Sequence, residues 1–162
     1  MLKSLKFFVV LIYLVSLISC KSEMKPLTEA EKTEITNQIK QLATELFDSW
    51  NKAEYNQYLN YYSNSDVFTF AANGKITRTW SAFSDTVASH TNPLKKSEVK
   101  VLKQYIDIIK RDLVIVTELF DWSATYKSDQ EEYMRGTYTT IYAKSKNKWK
   151  IIYVAESFPG EF

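Results

Sequence analysis

The stretch SEVKVLKQYIDIIKRDLVIVTELFDWSATYKSDQEEYMRGTYTTIYAKSKNKWKIIYVAES, residues 97–157, decides the fold. It contains β-rich runs at 97–109, 112–127, 131–145 and 148–157, dense in Val, Ile, Thr, Tyr and Phe. Between them lie Lys110-Arg111-Asp112, Ser128-Asp129-Gln130 and Ser145-Lys146-Asn147. Separators this short join antiparallel neighbours, because a parallel pair needs a crossover of about a dozen residues or more. In the last run Trp149, Ile151, Tyr153, Ala155 and Ser157 share one face by alternation, with Lys148, Lys150, Ile152, Val154 and Glu156 on the other. Both faces are partly apolar, which predicts a strand covered by helices on one side and by a partner sheet on the other.

Toward the amino terminus the period changes. Trp80, Phe83, Val87 and Ala88 have helical spacing, and that helix should end before Asn92-Pro93. Val67 to Ala72 and Lys75 to Thr79 flank Asn73-Gly74, two residues that tolerate positive φ, so a hairpin is expected. Tyr55, Tyr58, Leu59 and Tyr62 repeat as a short helix. Before them Ile35, Ile39, Leu42, Ala43, Leu46, Phe47 and Trp50 form one apolar stripe, the strongest helical signal in the chain. Its start is marked by Thr28-Glu29-Ala30-Glu31, a capping box in which hydroxyl and carboxylate satisfy free backbone donors reciprocally. Helices followed by a run of antiparallel strands predict an α+β domain, with three amino-terminal helices covering one face of a bent sheet that encloses a space.

Residues 1–19 are of a different kind. Lys3 and Lys6 precede an apolar run from Phe7 to Ile18, interrupted only by Tyr13 and Ser16. About 12 residues at ~1.5 Å each cover ~18 Å, short of the ~30 Å hydrocarbon core, so the segment reads as a cleaved signal peptide. Leu17-Ile18-Ser19-Cys20 resembles the bacterial lipobox, which implies that Cys20 becomes the first mature residue and carries lipid. Acyl chains contribute about 0.8 kcal/mol per buried CH2, so one modified cysteine can hold a domain on a membrane. Residues 20–27 then read as a tether and 28–160 as the folded domain. A membrane-anchored lipoprotein of the bacterial cell envelope is expected, on the periplasmic side or the cell surface.

Composition narrows the function classes. The 162 residues include 21 Lys and Arg against 19 Asp and Glu, for a net charge of +2, and without Lys3 and Lys6 the balance is zero. A neutral chain offers no electrostatic case for nucleic acid. Cys20 is the only cysteine and His90 the only histidine, so no intramolecular disulfide can form and no metal site is expected. No cofactor motif, P-loop or nucleophile elbow occurs. The paired carboxylates Glu131-Glu132 read as solvated turn residues.

Phe47-Asp48-Ser49-Trp50-Asn51-Lys52-Ala53-Glu54-Tyr55, Asp66-Val67-Phe68 with Gly74, and Arg135-Gly136-Thr137 with Trp149-Lys150-Ile151-Ile152 together resemble a SnoaL-like domain of the nuclear-transport-factor-2-like superfamily. The resemblance spans about residues 30–158. It implies a cone-shaped, strongly curved antiparallel sheet on three helices, a mostly apolar pocket, and a homodimer through the outer sheet face. The family hosts polyketide cyclases, ketosteroid isomerases and dehydratases, and also pockets with no known reaction, so the fold alone does not decide function. Where the isomerase branch carries a tyrosine oxyanion donor and an aspartate base, this chain has Leu46 and Ala71. A histidine that many members carry on the last strand, two residues before Ser157, is Ala155 here. These departures argue against inherited proton-transfer chemistry.

The expected function is therefore a lipid-anchored module whose pocket binds a small apolar or amphipathic molecule. The alternatives are a cyclase, isomerase or dehydratase of the same fold, or a dimeric interaction module with a filled pocket. Expected partners are the membrane through Cys20, a small-molecule ligand and a second copy of the chain. Arg135 shares strand parity with Thr137, Thr139 and Ile141. It is expected to point inward and contact Glu118 or Glu156, since burying a lone guanidinium would cost several kcal/mol. The candidate pocket set is Trp80, His90, Tyr105, Glu118, Trp122, Arg135, Tyr153 and Ser157. Phe120, Tyr138 and Tyr142 complete an aromatic excess that could line a pocket or build a core.

Overall fold

The computed structural model describes residues 25–158, so the signal-peptide and Cys20 readings lie outside the described residues. Helix α1, Glu29–Asn51, starts at the expected box: the Glu31 amide donates to Thr28 Oγ1 at 3.2 Å and the Thr28 amide to Glu31 Oε2 at 2.8 Å. Its stripe of Ile35, Ile39, Ala43, Leu46, Phe47 and Trp50 is buried, Ile39 and Leu46 completely. Helix α2, Tyr55–Leu59, is shorter than the Tyr55-to-Tyr62 spacing predicts. Tyr62 leaves the helix to form a parallel bridge with Ile151, which places its ring in the core.

The Asn73-Gly74 turn, with φ of 48° and 73°, joins β1, Thr69–Ala72, to β2, Lys75–Arg78. Helix α3 spans Trp80–Thr91. Then come β3, Leu94–Lys110; β4, Leu113–Tyr126; β5, Glu131–Ser145; and β6, Lys148–Ser157. The six strands form one sheet in the order β2-β1-β6-β5-β4-β3, antiparallel except where β1 lies parallel to β6. Among the described residues no helix is long and apolar enough to cross a membrane. Glu131 and Glu132 open β5 rather than lying in a turn, and Tyr126 donates its hydroxyl proton to Glu132.

Alternation holds along β4 and β5, but the inward phase on β5 is opposite to expectation. Gly136, Tyr138, Thr140 and Tyr142 are buried, whereas Arg135 and Thr137 are exposed. Large aromatics, not small residues, fill the concave side, because α1 lays a wide apolar stripe there that needs volume opposite it. On β6 the alternation itself breaks. Ile141 pairs with Tyr153 and Tyr142 with Ile151, so Ile152 is an extra residue, a β-bulge. Past it the faces exchange: Val154 is fully buried and Glu156 turns inward, while Tyr153 and Ser157 turn outward. Val154 therefore packs in the core and not on an outer dimer face.

The amino end of α1 is clamped to the β3–β4 turn. Arg111 donates to both carboxylate oxygens of Glu31, at 3.0 and 3.2 Å, and to the carbonyls of Lys25 and Pro26. Arg111 and the cap bonds together hold the Glu31 carboxyl down at about 2. At the other end the Trp50 indole donates to Ser97 Oγ at 2.8 Å, and Asn51 pairs through its amide with the Val99 amide and carbonyl. About 19 residues of helix separate the two clamps, roughly 28 Å.

Candidate functional site

Between the carboxyl end of α1, α3, the β1–β2 hairpin and the concave wall of β4–β6 lies a cavity of about 770 Å3. Phe47 and Trp50 reach it from α1, Tyr58 from α2, Phe83 and His90 from α3, Phe120 and Trp122 from β4, Tyr138 from β5 and Glu156 from β6. Phe158 closes one side, its ring edge-on to Phe120 at 5.8 Å. That seat depends on Gly136: a Cβ there would stand 2.8 Å from the Phe158 ring and 2.9 Å from the Ser157 carbonyl oxygen. Gly136→Val is expected to expel Phe158 from the wall, which increased dye access to the cavity and a lower melting midpoint would register.

Two of the eight candidate residues, His90 and Trp122, line this cavity. The His90 ring lies 5.8 Å from the Trp122 ring and 6.3 Å from the Trp50 ring, and desolvation lowers its pKa, so it is neutral at pH 7. The other six lie elsewhere. Trp80 donates its indole N–H to the Leu59 carbonyl at 3.2 Å and ties α3 to α2. Tyr105 is 62% exposed on β3. Glu118 faces inward but sits in the packed core, 1% exposed, its Oε1 accepting from Gln104 at 2.7 Å. Tyr153 and Ser157 are turned out by the bulge.

Arg135 is the clearest correction. It projects to the solvent side and donates Nε and Nη2 to Asp121 at 2.7 and 3.1 Å, touching neither Glu118 nor Glu156. Asp121 and Arg135 are cross-strand partners on the outer face, so the guanidinium is never removed from water. Arg135→Ala should leave the denaturant midpoint unchanged within error.

The sequence reading missed a tyrosine cluster under the cavity. Tyr62 donates its hydroxyl proton to Tyr58, the Tyr62 and Tyr138 hydroxyl oxygens are 2.7 Å apart, and those of Tyr58 and Tyr138 are 3.5 Å apart. Burial pushes the Tyr58 phenol up to about 12 and the other two well above their usual range, so all three stay protonated. Glu156 lies beside this cluster, opposite Tyr138 on β5 and Ala72 on β1. Its carboxylate takes no hydrogen bond or ion pair from the described residues, and burial pushes it up to about 7. The arrangement can hold an apolar body against aromatic faces and meet one polar group with a carboxylate and phenolic hydroxyls. Among the described residues no group of His, Cys, Asp and Glu is placed to hold a metal ion.

The family model of the SnoaL-like domain matches residues 39–161. The chain belongs to this SnoaL-like family. Solved structures agree on the fold. A nuclear transport factor 2-like superfamily protein from Salmonella enterica superposes with a TM-score of 0.73 at 17% identity, over 80% of this chain and 94% of that one. A nuclear transport factor 2-like protein from Shewanella oneidensis gives 0.62 at 18% identity, over 75% and 98%. The hexachlorocyclohexane dehydrochlorinase LinA-type3 from Novosphingobium barchaimii gives 0.70 at 10% identity, over 82% and 92%. No curated protein sequence matches the chain. Identities this low carry the SnoaL-like architecture and nothing about its chemistry.

Proposed function

We propose that this SnoaL-like protein is a lipid-anchored envelope module whose cavity binds a small, mainly apolar molecule with one polar group. The observation that carries the reading is the cavity itself: about 770 Å3, walled by aromatic side chains from all three helices and from β1, β4 and β5, with Glu156 the one acid among the described residues that line it. A volume of several hundred Å3 with few polar groups is the ordinary form of a small-molecule site. It speaks against a cone filled by its own side chains. Native mass spectrometry of the full chain, extracted from its source membrane in mild detergent, should reveal a bound small molecule that is lost in Trp122→Ala. An empty protein whose Trp50 and Trp122 fluorescence no apolar solute quenches would reject the reading.

Anchoring rests on Leu17-Ile18-Ser19-Cys20 and its short apolar run. Arg111 pins the tether's end at Lys25 and Pro26, whereas the cavity lies at the far end of α1. A lipid on Cys20 would thus hold the cavity on the side of the domain away from the tether. Cys20→Ala should release the protein from the membrane with its melting curve intact, and an intact mass showing no acyl group would refute anchoring.

The dimer proposal shifts to other residues. Tyr105 and Tyr133, each 62% exposed, and the half-buried Ile115, Leu119, Ile141 and Tyr153 supply an apolar outer sheet face. A second copy covering it would give twice the monomer mass by light scattering at micromolar concentration. A strictly monomeric mass would exclude that pairing.

One observation favours a second reading, proton transfer. A carboxylate held at about 7 beside phenolic hydroxyls has the pKa a general base or acid needs near neutrality. In that reading Glu156 moves the proton and Tyr58 or Tyr138 donates to the developing oxyanion. Leu46 and Ala71, in place of the isomerase residues, remain inert.

A further inference from the structure

We propose that the cavity selects ligands carrying a positive charge on an apolar body, namely alkyl- or arylammonium compounds. This inference rests on the cavity being a binding site. It starts from the bulge at Ile152, which turns Glu156 into a wall rich in aromatic rings. Trp50, Trp122, Phe120, Tyr58 and Tyr138 line a space that an ammonium could occupy. The face of an aromatic ring is electron-rich and attracts a cation, most strongly for indole and more so when water is excluded. Glu156 supplies the formal counter-charge, and no described residue already neutralises it.

The remaining ionisable groups facing the space do not oppose this assignment. His90 is neutral at pH 7, and the phenols of Tyr58 and Tyr138 keep their protons. Lys75 lines the open rim at the β1–β2 turn, where it is exposed to water. Among the described residues no arginine lines the cavity, so an anionic ligand would find a cation only at the rim, in Lys75, and would meet the Glu156 carboxylate and aromatic rings farther in. A neutral ligand would leave Glu156 either desolvated and charged or protonated. A cationic one pairs with it, and its binding should release a proton near neutral pH because it favours the ionised carboxylate.

The test uses benzyltrimethylammonium and its uncharged carbon isostere, neopentylbenzene, titrated against the full chain in detergent and read by tryptophan quenching. At pH 8 the ammonium is expected to bind at least tenfold more tightly, although the isostere partitions better out of water. The preference should fall to under twofold in Glu156→Gln and at pH 5. Glu156→Gln should melt no lower than the parent at pH 8, since it removes a poorly solvated charge, so lost preference will not reflect unfolding. Equal or tighter binding of the isostere at pH 8 would overturn the proposal while leaving the cavity a binding site. Preference surviving in Glu156→Gln would overturn it too, by moving the selectivity elsewhere. Failure of both probes to bind would bring down this inference together with the binding reading.

Discussion

Stability should fall as pH rises from about 4.5 to about 7 and then level off, with Glu118 in the core as one of the two carboxyls responsible. This carboxyl is 1% exposed, receives one hydrogen bond from Gln104, and is pushed by burial from its ordinary 4.5 up to about 7. The folded chain therefore holds a proton that the unfolded chain has already released. Below 4.5 both states are protonated and no penalty exists; it accumulates through the interval and is complete above 7. A difference of this size corresponds to roughly 3 kcal/mol, since each pKa unit is worth about 1.4 kcal/mol. Glu156 is raised to about 7 by the same cause and pulls in the same direction. His90 acts oppositely: its lowered pKa withdraws stability as pH falls below 6.5, through the folded value. Glu118→Gln, which keeps the shape and a hydrogen bond to Gln104, should raise stability at pH 8 by up to about 3 kcal/mol and leave pH 4 nearly unchanged. Urea melts across pH 4 to 9 measure this directly. A flat parent profile, or loss of stability in the variant at pH 8, would mean that the core carboxylate is stabilised in its charged form and would overturn this account.

The second large effect is expected at Phe83. Its ring lies 4.7 Å from Tyr62, 5.0 Å from Phe68 and 5.1 Å from Phe70, and it is 2% exposed. Phe83 and Val87 are the apolar side chains that α3 buries, and α3 also carries His90. Phe83→Ala should cost about 3–5 kcal/mol, the range for truncating a buried aromatic. The loss should not stay local. With its main anchor gone α3 loosens, and the His90 ring loses its place beside Trp50 and Trp122. Denaturant melts should show the destabilisation, and tryptophan emission should shift to the red even where the chain remains folded. Destabilisation without a spectral change would indicate that α3 is held by Trp80 and its bond to Leu59 instead.

The order of elements was legible because it is written in local chemistry. Thr28 and Glu31 cap α1, its stripe repeats at helical spacing, and Asn73-Gly74 turns the hairpin with the positive φ those residues accept. The later turns behave alike: Asp129, Lys146 and Asn147 have positive φ, as short antiparallel connections require. These features depend on neighbours within a few residues, so the chain alone specifies them.

The faces were a different matter. A period of two says that side chains alternate but not which set points inward. On β5 that choice was made by α1, whose apolar stripe required Tyr138 and Tyr142 opposite it and left Arg135 to Asp121 and solvent. On β6 it was made by one extra residue, Ile152, which has no signature in composition or spacing and yet put Glu156 in the cavity and removed Tyr153 and Ser157 from it. The tyrosine cluster joins Tyr58 and Tyr62 to a residue some 80 positions away, Tyr138. The sequence by itself determined the helices, the strands and an aromatic interior. The site waited on tertiary structure, because a carboxylate acquires its character from the side chains that exclude water from it, and those come from elements distant in the chain.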